Sequence, residues 1–354
     1  MGLQQFRTDA FRCLSDVEIK PDPKLNLVTG RNASGKTSLL ESIYYLGRGR
    51  SFRASGNREL IASDQSGFSL FGQVKNQSGT HKIGAQVGAG QRNLRIDGDN
   101  GTAADLARIL PVQVIDPEIH QLVQGGPELR RKFLDWGVFH VKHAYLESWR
   151  KYHQALKQRN ACLRSGAADS EVRLWDVPLV EHGEAVGQIR QEFLDQFLPI
   201  YSSIIGEFLS FDVICSYKRG WSAGEGLEQA VGQSFSRDRA LSATQVGPHR
   251  ADLTLQVDTR RARHRVSRGQ QKMMAAALLI AQTRFVAVHS AAELVLLVDD
   301  PAAELDRDNR NRLFGMLQQM PAQMFVTALE PEDLPWADQA QMFHVEHGEV
   351  TSLL

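Results

Sequence analysis

The sequence predicts an α/β protein: a P-loop nucleotide-binding head, with a mixed sheet and an antiparallel β-subdomain, that carries an inserted α-helical lobe. Three observations predict this fold. An apolar strand at 25–29 runs into the pattern Gly-x-x-x-x-Gly-Lys-Thr at 30–37, and an apolar helical pattern follows. A second apolar run, at 294–298, ends in two aspartates. Between them, apolar side chains recur every three or four residues within 128–210, as in amphipathic helices.

Strand patterns surround the P-loop in the N-terminal part of the chain. We expect strands near 14–19 and 25–29, because prolines and turn residues separate two alternating apolar runs there. A glycine-broken polar loop at 47–53 follows the P-loop helix, and residues 68–98 alternate like an antiparallel meander. A core strand is expected at 112–115. Antiparallel strands beside a P-loop strand are not typical of simple kinases or small GTPases, so they predict a separate β-subdomain.

The middle of the chain is predicted to form the helical lobe. One long amphipathic helix is expected over 128–163 and a second over 185–208, joined by a polar loop at 165–170. Pro199 lies inside the second helix and should kink or split it. The apolar and aromatic stripe of these helices is interpreted as helix–helix packing rather than as a ligand groove.

The chain then returns to the head. The expected elements are strands at 211–218 and 251–257, an apolar helix from 266 through 281, a buried strand at 293–300 and a last core strand at 323–327. Residues 1–127 and 211–354 are therefore assigned to the head and residues 128–210 to the lobe.

The composition is that of an ordinary globular protein, with 42% hydrophobic and 23% charged residues among 354. The longest apolar runs are too short to span a membrane, and the first residues lack the apolar segment of a signal peptide. Cys13, Cys162 and Cys215 are few and widely spaced, which indicates free thiols in a reducing compartment. We expect a cytoplasmic protein with no membrane attachment.

The charge balance excludes a uniformly basic DNA-coating protein, because the formal net charge is zero. The distribution is nevertheless uneven. Eight arginines lie between 237 and 268, smaller basic clusters lie at 48–58 and 130–132, and acidic residues concentrate at 299–308. A local basic face can bind phosphates even when the whole chain is neutral.

The P-loop residues have the chemistry that a bound nucleoside triphosphate needs. Gly30 and Gly35 let the backbone curl so that its N–H groups converge on the phosphates, and a helix starting near Lys36 directs its positive end at the same anion. Lys36 would reach the β- and γ-phosphates as a catalytic residue, and the Thr37 hydroxyl would bind Mg²⁺. The predicted nucleotide contacts of this loop are Gly30, Arg31, Asn32, Ala33, Ser34, Gly35, Lys36 and Thr37. We therefore expect ATP and Mg²⁺ as cofactors.

The strand at 293–300 is predicted to supply the acidic half of the site. Asp299 would lie beside Thr37 and bind Mg²⁺ directly or through water. Asp300, one position further, would orient or deprotonate the attacking water. The alternative is that both aspartates only form the turn before Pro301.

The segment Ser267-Arg-Gly-Gln270 opens the apolar helix and forms a third element. Ser267 is a plausible N-cap, and Gly269 would let the backbone approach an anion. Because the segment precedes Asp299 by about thirty residues, it is similar to the signature helix of ABC-type ATPases. In that class the signature of one subunit closes over the γ-phosphate bound to another. The resemblance implies an ATP-sandwiched dimer in which Ser267, Gly269 and Gln270 contact the partner's nucleotide.

Over most of its length the chain resembles the RecF family of bacterial recombination and gap-repair ATPases. The residues that carry the resemblance are Phe11-Arg12, Gly30 to Thr37 with Asn32, Ser51-Phe-Arg53, the segment 126–135, Leu174-Trp-Asp176, the segment 247–253, Ser267 to Lys272, and Asp299-Asp300 with Glu304-Leu-Asp306. The resemblance implies an SMC-like, ABC-type head whose short helical arms replace a long coiled coil. It also implies a weak, DNA-stimulated ATPase that dimerises on ATP and binds single- and double-stranded DNA near gaps. Its implied partners are RecO and RecR, with which it would help to load RecA during DNA repair, recombination and replication.

Several positions depart from the family pattern. Ala33 stands where glycine is common, and Asp300 replaces the glutamate usual in ABC ATPases, which is consistent with slow hydrolysis. Ala302-Ala303 lie where a serine is more typical, and Thr327 takes the place of the switch histidine of transporters.

Two assignments and two alternative functions remain open at the level of the sequence. Gln113 is the candidate for the Q-loop glutamine, and Arg12 is a candidate contact for adenine. The nucleotide-binding subunit of an ABC membrane transporter shares the P-loop, the signature and the aspartate-terminated strand, but it would need a switch histidine and a membrane partner. A small-molecule P-loop kinase does not explain Ser267 to Gln270.

Overall fold

The computed structural model describes residues 2–88, 90–290, 293–301 and 305–353. The chain divides into two compact units, of which the first comprises Met1–Ile119 with Ala276–Leu354 and the second comprises His120–Ala275. The lobe expected at 128–210 lies inside the second unit, which also includes 211–275. The three-segment division therefore stays a prediction about folding units. Ala302, Ala303 and Glu304 lie outside the described residues.

The strands in chain order are β1 (Gly2–Asp9), β2 (Val17–Ile19), β3 (Leu25–Thr29), β4 (Gly67–Asn76), β5 (Gly79–Gly88), β6 (Gln91–Ile96), β7 (Asp99–Asn100), β8 (Val112–Ile115), β9 (Val213–Lys218), β10 (Asp252–Val257), β11 (Arg260–Arg261), β12 (Val295–Val298), β13 (Gln323–Thr327), β14 (Gln341–Glu346) and β15 (Glu349–Leu353). The helices are α1 (Lys36–Arg48), α2 (Ala103–Ile109), α3 (Gln121–Gln124), α4 (Pro127–Val141), α5 (Tyr145–Ser165), α6 (Asp169–Arg173), α7 (Asp176–Phe208), α8 (Leu227–Leu241), α9 (Arg268–His289) and α10 (Arg307–Gln318). Within the described residues, no helix is both long enough and apolar enough to cross a membrane.

The mixed sheet of the first unit has the order β15-β14-β3-β13-β12-β8. Its five strands from β14 to β8 are parallel, and β15 pairs with β14 antiparallel. Every residue of β3, β12 and β13 is buried, as expected of parallel strands covered on both faces. The expectation that 323–327 is the last core strand is wrong, because β14 and β15 follow it. Half of the residues of β14 and three of the five residues of β15 are polar. The pairing of β14 with β3 and of β15 with β14 therefore defines these strands better than a hydrophobic pattern does.

The antiparallel sheet of the first unit has the order β2-β1-β4-β5-β6-β7 and confirms the predicted β-subdomain. The strand expected near 14–19 is only β2, and the longer β1 was not predicted. The two glutamines of β1 obscure the alternation of apolar and polar residues that predicts a strand. Pairing with β4, in which Phe6 lies opposite Gly72, defines the strand instead. Phe11, Tyr45 and Phe68 pack edge to face beneath this sheet, with Phe11 and Phe68 centroids 4.9 Å apart. This aromatic group ties the β-subdomain to α1, the helix that follows the P-loop.

The second unit contains helices α3 to α8 and a three-stranded sheet in the order β11-β10-β9. The single helix expected over 128–163 is two helices, because the chain turns at 142–144 between α4 and α5. The second helix is longer than predicted and runs through Pro199 without splitting. Phe193, Phe197 and Tyr201 are fully buried and stacked along α7, so tertiary packing compensates for the hydrogen bond that proline cannot donate. The burial of this stripe agrees with its interpretation as helix packing.

Candidate nucleotide-binding site

The P-loop connects the end of β3 to the first residue of α1, as the motif predicts. Gly30 and Gly35 have φ angles of 140° and 121°, which residues with a side chain rarely adopt. A Cβ atom at Gly30 would also lie 2.3 Å from the carbonyl oxygen of Val345. Ala33 has a φ of 63°, in the region where glycine is preferred, at a cost of roughly 1 kcal/mol. The loop is therefore held in a conformation that presents its backbone N–H groups at the start of a helix.

The side chain of Lys36 folds back onto the P-loop. Its Nζ donates hydrogen bonds to the carbonyl oxygens of Gly30 and Arg31, the latter at 2.9 Å. Burial lowers the pKa of Lys36, and the charges of Asp299 and Asp300 oppose that shift. The ammonium group is thus positioned between the loop and the two aspartates, where the β- and γ-phosphates of a nucleotide would lie.

The structure brings Thr37 and Asp299 together, as predicted. Thr37 Oγ1 lies 3.0 Å from Asp299 Oδ2 and 3.1 Å from Oδ1. Thr327 Oγ1 donates to Asp299 Oδ1 at 2.9 Å and accepts from the backbone N–H of Asp300 at 2.8 Å. Burial raises the pKa of Asp299, while the hydrogen bonds from Thr327 and Thr37 lower it. Thr327 therefore hydrogen-bonds to the carboxylate of Asp299 and to the backbone of Asp300, a role that the sequence did not reveal.

A cavity of about 490 Å³ lies in front of these residues, a size that small-molecule sites commonly have. Residues 32–38 of the P-loop line it, together with Asp299, Asp300 and Thr327. Gly30 and Arg31 lie outside the lining and contribute their carbonyl oxygens to Lys36. The remaining lining residues are Cys13, Phe52, Arg53, Asp116, Pro117, Glu118, Ala328 and Leu329.

Asp116 and Arg53 are site residues that sequence reasoning missed. Asp116 follows the last residue of β8, which is paired in register with the last residue of β12, so Asp116 lies beside Asp299. Burial, with the charge of Asp299 as a smaller cause, raises the pKa of Asp116 to about 6, and Arg53 opposes the shift. Within the described residues, the Arg53 guanidinium makes no hydrogen bond or ion pair. Asp116 could have been found from the rule that ligands bind at the carboxyl ends of parallel strands.

Gln113 does not take the role suggested for it. It lies inside β8, is buried, and donates from Nε2 to Gln282 Oε1 at 2.8 Å, away from the cavity lining. Arg12 forms an ion pair with Glu41 on α1. These pairings could not be predicted from the sequence, because each joins segments that are far apart in the chain.

The signature segment caps α9. The backbone N–H of Ser267 donates to Gln270 Oε1 at 2.9 Å, and the backbone N–H of Gln270 donates to Ser267 Oγ at 3.2 Å. This reciprocal pair is a capping box, which confirms Ser267 as a helix cap. Gly269 lies in the first turn, at the helix end where backbone N–H groups are available to an anion. Contact of Ser267, Gly269 and Gln270 with a nucleotide on another subunit stays a prediction.

The donor atoms fit Mg²⁺ bound together with a nucleotide. Among the residues that the structure describes, no group of three or more His, Cys, Asp or Glu side chains could hold a metal by itself. Mg²⁺ does not need such a group, since it commonly takes one or two protein oxygens and completes its shell with phosphate oxygens and water. Thr37 and Asp299 supply that number of oxygens at the edge of the phosphate cradle.

The fold and the site define a P-loop ATPase head of the type that ABC and SMC proteins share. The pattern of the RecF/RecN/SMC N terminal domain matches residues 2–351. The DNA replication and repair protein RecF of Shewanella baltica (strain OS155 / ATCC BAA-1091) is 40% identical over 357 residues, covering 99% of each chain. The chain belongs to the RecF family.

Solved structures agree with this assignment. The structure of the recombination mediator protein RecF-ATP in the RecFOR pathway has a TM-score of 0.89 at 25% identity and covers 100% of this chain and 98% of that one. An Smc head bound to the C-winged helix domain of ScpA has a TM-score of 0.63 at 16% identity, covers 100% of this chain and 98% of that one, and shows a shared fold. Family membership favours a repair ATPase over the transporter subunit and the small-molecule kinase.

Proposed function

We propose that this protein binds ATP with Mg²⁺ and hydrolyses it slowly while acting on DNA in recombinational repair. The observation that carries the proposal is the contact between Thr37 and Asp299, which joins the phosphate-binding loop to the acidic strand end. That contact supplies the oxygen ligands of a nucleotide-bound Mg²⁺ beside the charge of Lys36. The RecF-ATP structure to which the chain is similar supports the choice of nucleotide.

The residues of the cavity have separate parts in the reaction. The P-loop N–H groups and Lys36 bind and orient the phosphates. Thr37 and Asp299 would hold Mg²⁺, which would supply positive charge to neutralise the negative charge developing on the phosphates. Asp300 orients the attacking water and receives its proton. Thr327 fixes the Asp300 backbone, where φ is 47°, and so sets the direction of that carboxylate. Because aspartate reaches less far than the glutamate usual in ABC ATPases, slow turnover is expected.

ATP binding would join two heads, with Ser267, Gly269 and Gln270 of each completing the site of the other. The dimer would bind single- and double-stranded DNA near gaps through basic surface, and hydrolysis would release it. The exposed arginines of 260–265 support a phosphate-binding surface. Membership of the RecF family supports work with RecO and RecR in the loading of RecA.

The test is steady-state ATP hydrolysis measured against protein concentration, with and without gapped duplex DNA. We expect specific activity to rise with concentration, because each site is completed by a second subunit, and to rise further with DNA. A flat profile that is indifferent to DNA would mean that each chain acts alone, which would exclude the ATP-joined dimer and leave only the nucleotide site.

A further inference from the structure

A buried carboxylate on the P-loop helix lies outside the lining of the cavity. Glu41 lies on α1, and its side chain is 0% exposed. Its two oxygens accept hydrogen bonds from Arg12 Nε and Nη2, the latter at 2.9 Å, and from Ser51 Oγ. Arg12 is held in a left-handed conformation with a φ of 54°, and its Nη1 donates to the carbonyl oxygen of Glu59 at 3.3 Å.

Ser51 connects Glu41 to the loop that follows α1, and we call this connection the anchor. While its hydroxyl donates to Glu41, its oxygen accepts from the backbone N–H groups of Arg53 at 2.8 Å and Ala54 at 2.7 Å. The backbone at Arg53 is therefore fixed to the same helix that carries Lys36 and Thr37. The Arg53 side chain lines the cavity, where its charge acts on both Asp116 and Asp299.

The hydrogen-bonded network around Glu41 would be an inefficient way to stabilise the fold alone. A buried charge pair of this kind is often no more stabilising than apolar residues of similar volume. A left-handed arginine adds backbone strain, and such strain tends to persist where the surrounding structure serves a function. The network ends at Arg53, which lines the cavity near Asp116 and Asp299 and whose guanidinium makes no hydrogen bond or ion pair with described residues.

We propose that Glu41 and Ser51 are positioning residues for Arg53, which they hold in the cavity where the nucleotide's phosphates bind. The proposal rests on the proposed ATPase function. Arg53 contacts the phosphates and stabilises the charge that develops during hydrolysis. Glu41 and Ser51 touch no substrate and act through the Arg53 backbone.

Hydrogen exchange of the loop tests the anchor without reference to activity. Peptides covering residues 50–56 are compared in the full-length wild type, Ser51→Ala and Ser51→Thr. We expect the alanine variant to lose the protection of two amides, those of Arg53 and Ala54, and the threonine variant to keep it, because threonine retains the hydroxyl. Unchanged exchange in Ser51→Ala would overturn the anchor.

A double-mutant cycle tests whether the anchor works through Arg53. We expect Ser51→Ala to lower kcat about tenfold with little change in KM for ATP, because small displacements of a charge-stabilising group lower turnover steeply. Ser51→Thr should restore turnover, and Ser51→Ala should have no further effect in the Arg53→Ala background. Additive losses in the double variant would refute positioning through Arg53 and leave a structural role only. If the wild type hydrolyses no ATP, the proposed function fails instead, and the exchange measurement still decides the anchor.

Discussion

Thr37 Oγ1 lies 3.0 Å from Asp299 Oδ2, although the two residues are 262 positions apart in the chain. The hydroxyl is at the start of α1 and the carboxylate is at the end of β12, so the contact requires that β3 and β12 flank β13 in one parallel sheet. Thr327 at the end of β13 completes the group by donating to Asp299. Three neighbouring strands thus build the edge of the site at which Mg²⁺ binding is proposed.

Removal of the Asp299 charge should uncouple Mg²⁺ from nucleotide binding. We expect Asp299→Asn to lower hydrolysis at least about a hundredfold, because the amide is a poor ligand for a hard cation in this position. Steady-state hydrolysis measures the loss of turnover, and titration of a fluorescent ATP analogue with and without Mg²⁺ measures how far nucleotide binding depends on the metal. Asp338→Asn, an exposed site, is the matched control and should behave as the wild type. A variant that keeps the wild-type Mg²⁺ dependence would contradict the assignment of Asp299.

Substitution at the signature should separate ATP binding from dimer formation. Ser267→Arg places a bulky cation at the N-terminus of α9 and removes the capping box, so the partner's nucleotide can no longer approach. We expect ATP affinity to stay unchanged and the ATP-driven dimer to disappear in sedimentation velocity. Ser165→Arg, at the exposed end of α5, serves as the control. Unchanged dimerisation of Ser267→Arg would exclude the signature role.

Neutralising Asp116 should stabilise the protein at neutral pH. Burial raises its pKa from 3.8 to about 6, so the folded state binds a proton there more tightly than the unfolded state does. The wild type therefore loses stability as pH rises from about 4 through 6, by up to about 3 kcal/mol. We expect Asp116→Asn to be more stable than the wild type at pH 7 and to match it at pH 4.

Urea unfolding without nucleotide or Mg²⁺ measures this difference, with Asp338→Asn as the control. An Asp116→Asn variant that is less stable than the wild type at pH 7 would show that the carboxylate has a stabilising partner, against the burial argument.

His249 should produce the opposite pH dependence. Burial lowers its pKa from 6.5 to about 4, and the neutral ring accepts from Tyr152 Oη at 2.6 Å and donates to the carbonyl oxygen of Thr244 at 3.0 Å. The unfolded state binds the proton more tightly, so stability is lost as pH falls from 6.5 to 4, by up to roughly 3 kcal/mol. We expect His249→Gln to flatten this slope in urea unfolding, whereas His264→Gln, at an exposed site, leaves it unchanged. An equal slope in both variants would assign the pH dependence to other groups.

Three exposed arginines before the signature should contribute to DNA binding. Arg260, Arg261 and Arg263 are exposed on and beside β11, and Arg260 and Arg261 make no side-chain hydrogen bond or ion pair with described residues. We expect replacement of all three by glutamine to weaken binding of gapped duplex and to reduce the slope of log K against log salt by up to about 3. Replacement by lysine is the control, because it keeps the charge. A salt slope that the glutamine variant leaves unchanged would place the DNA contacts elsewhere.

The sequence predicted best those elements whose conformation depends on residues close together in the chain. The P-loop, the strand that ends at Asp299 and the cap at Ser267 each follow from a few consecutive residues with a fixed backbone requirement. The helix break at 142–144 and the continuity of α7 through Pro199 did not follow, because packing in the second unit overrides local preference. β1 and β14 are too polar to be recognised without their partner strands.

The sequence by itself determined that this chain is a P-loop ATPase head and predicted which loop binds the phosphates, since glycine, lysine and threonine at that spacing are typical of a phosphate-binding loop. Only the tertiary structure decided that Asp116 lies beside Asp299, that Thr327 hydrogen-bonds to both aspartates, and that Gln113 is paired away from the cavity. It also decided that Glu41 and Ser51 anchor Arg53. These side chains come from separate segments, and the order of strands in the parallel sheet brings their ends to one edge.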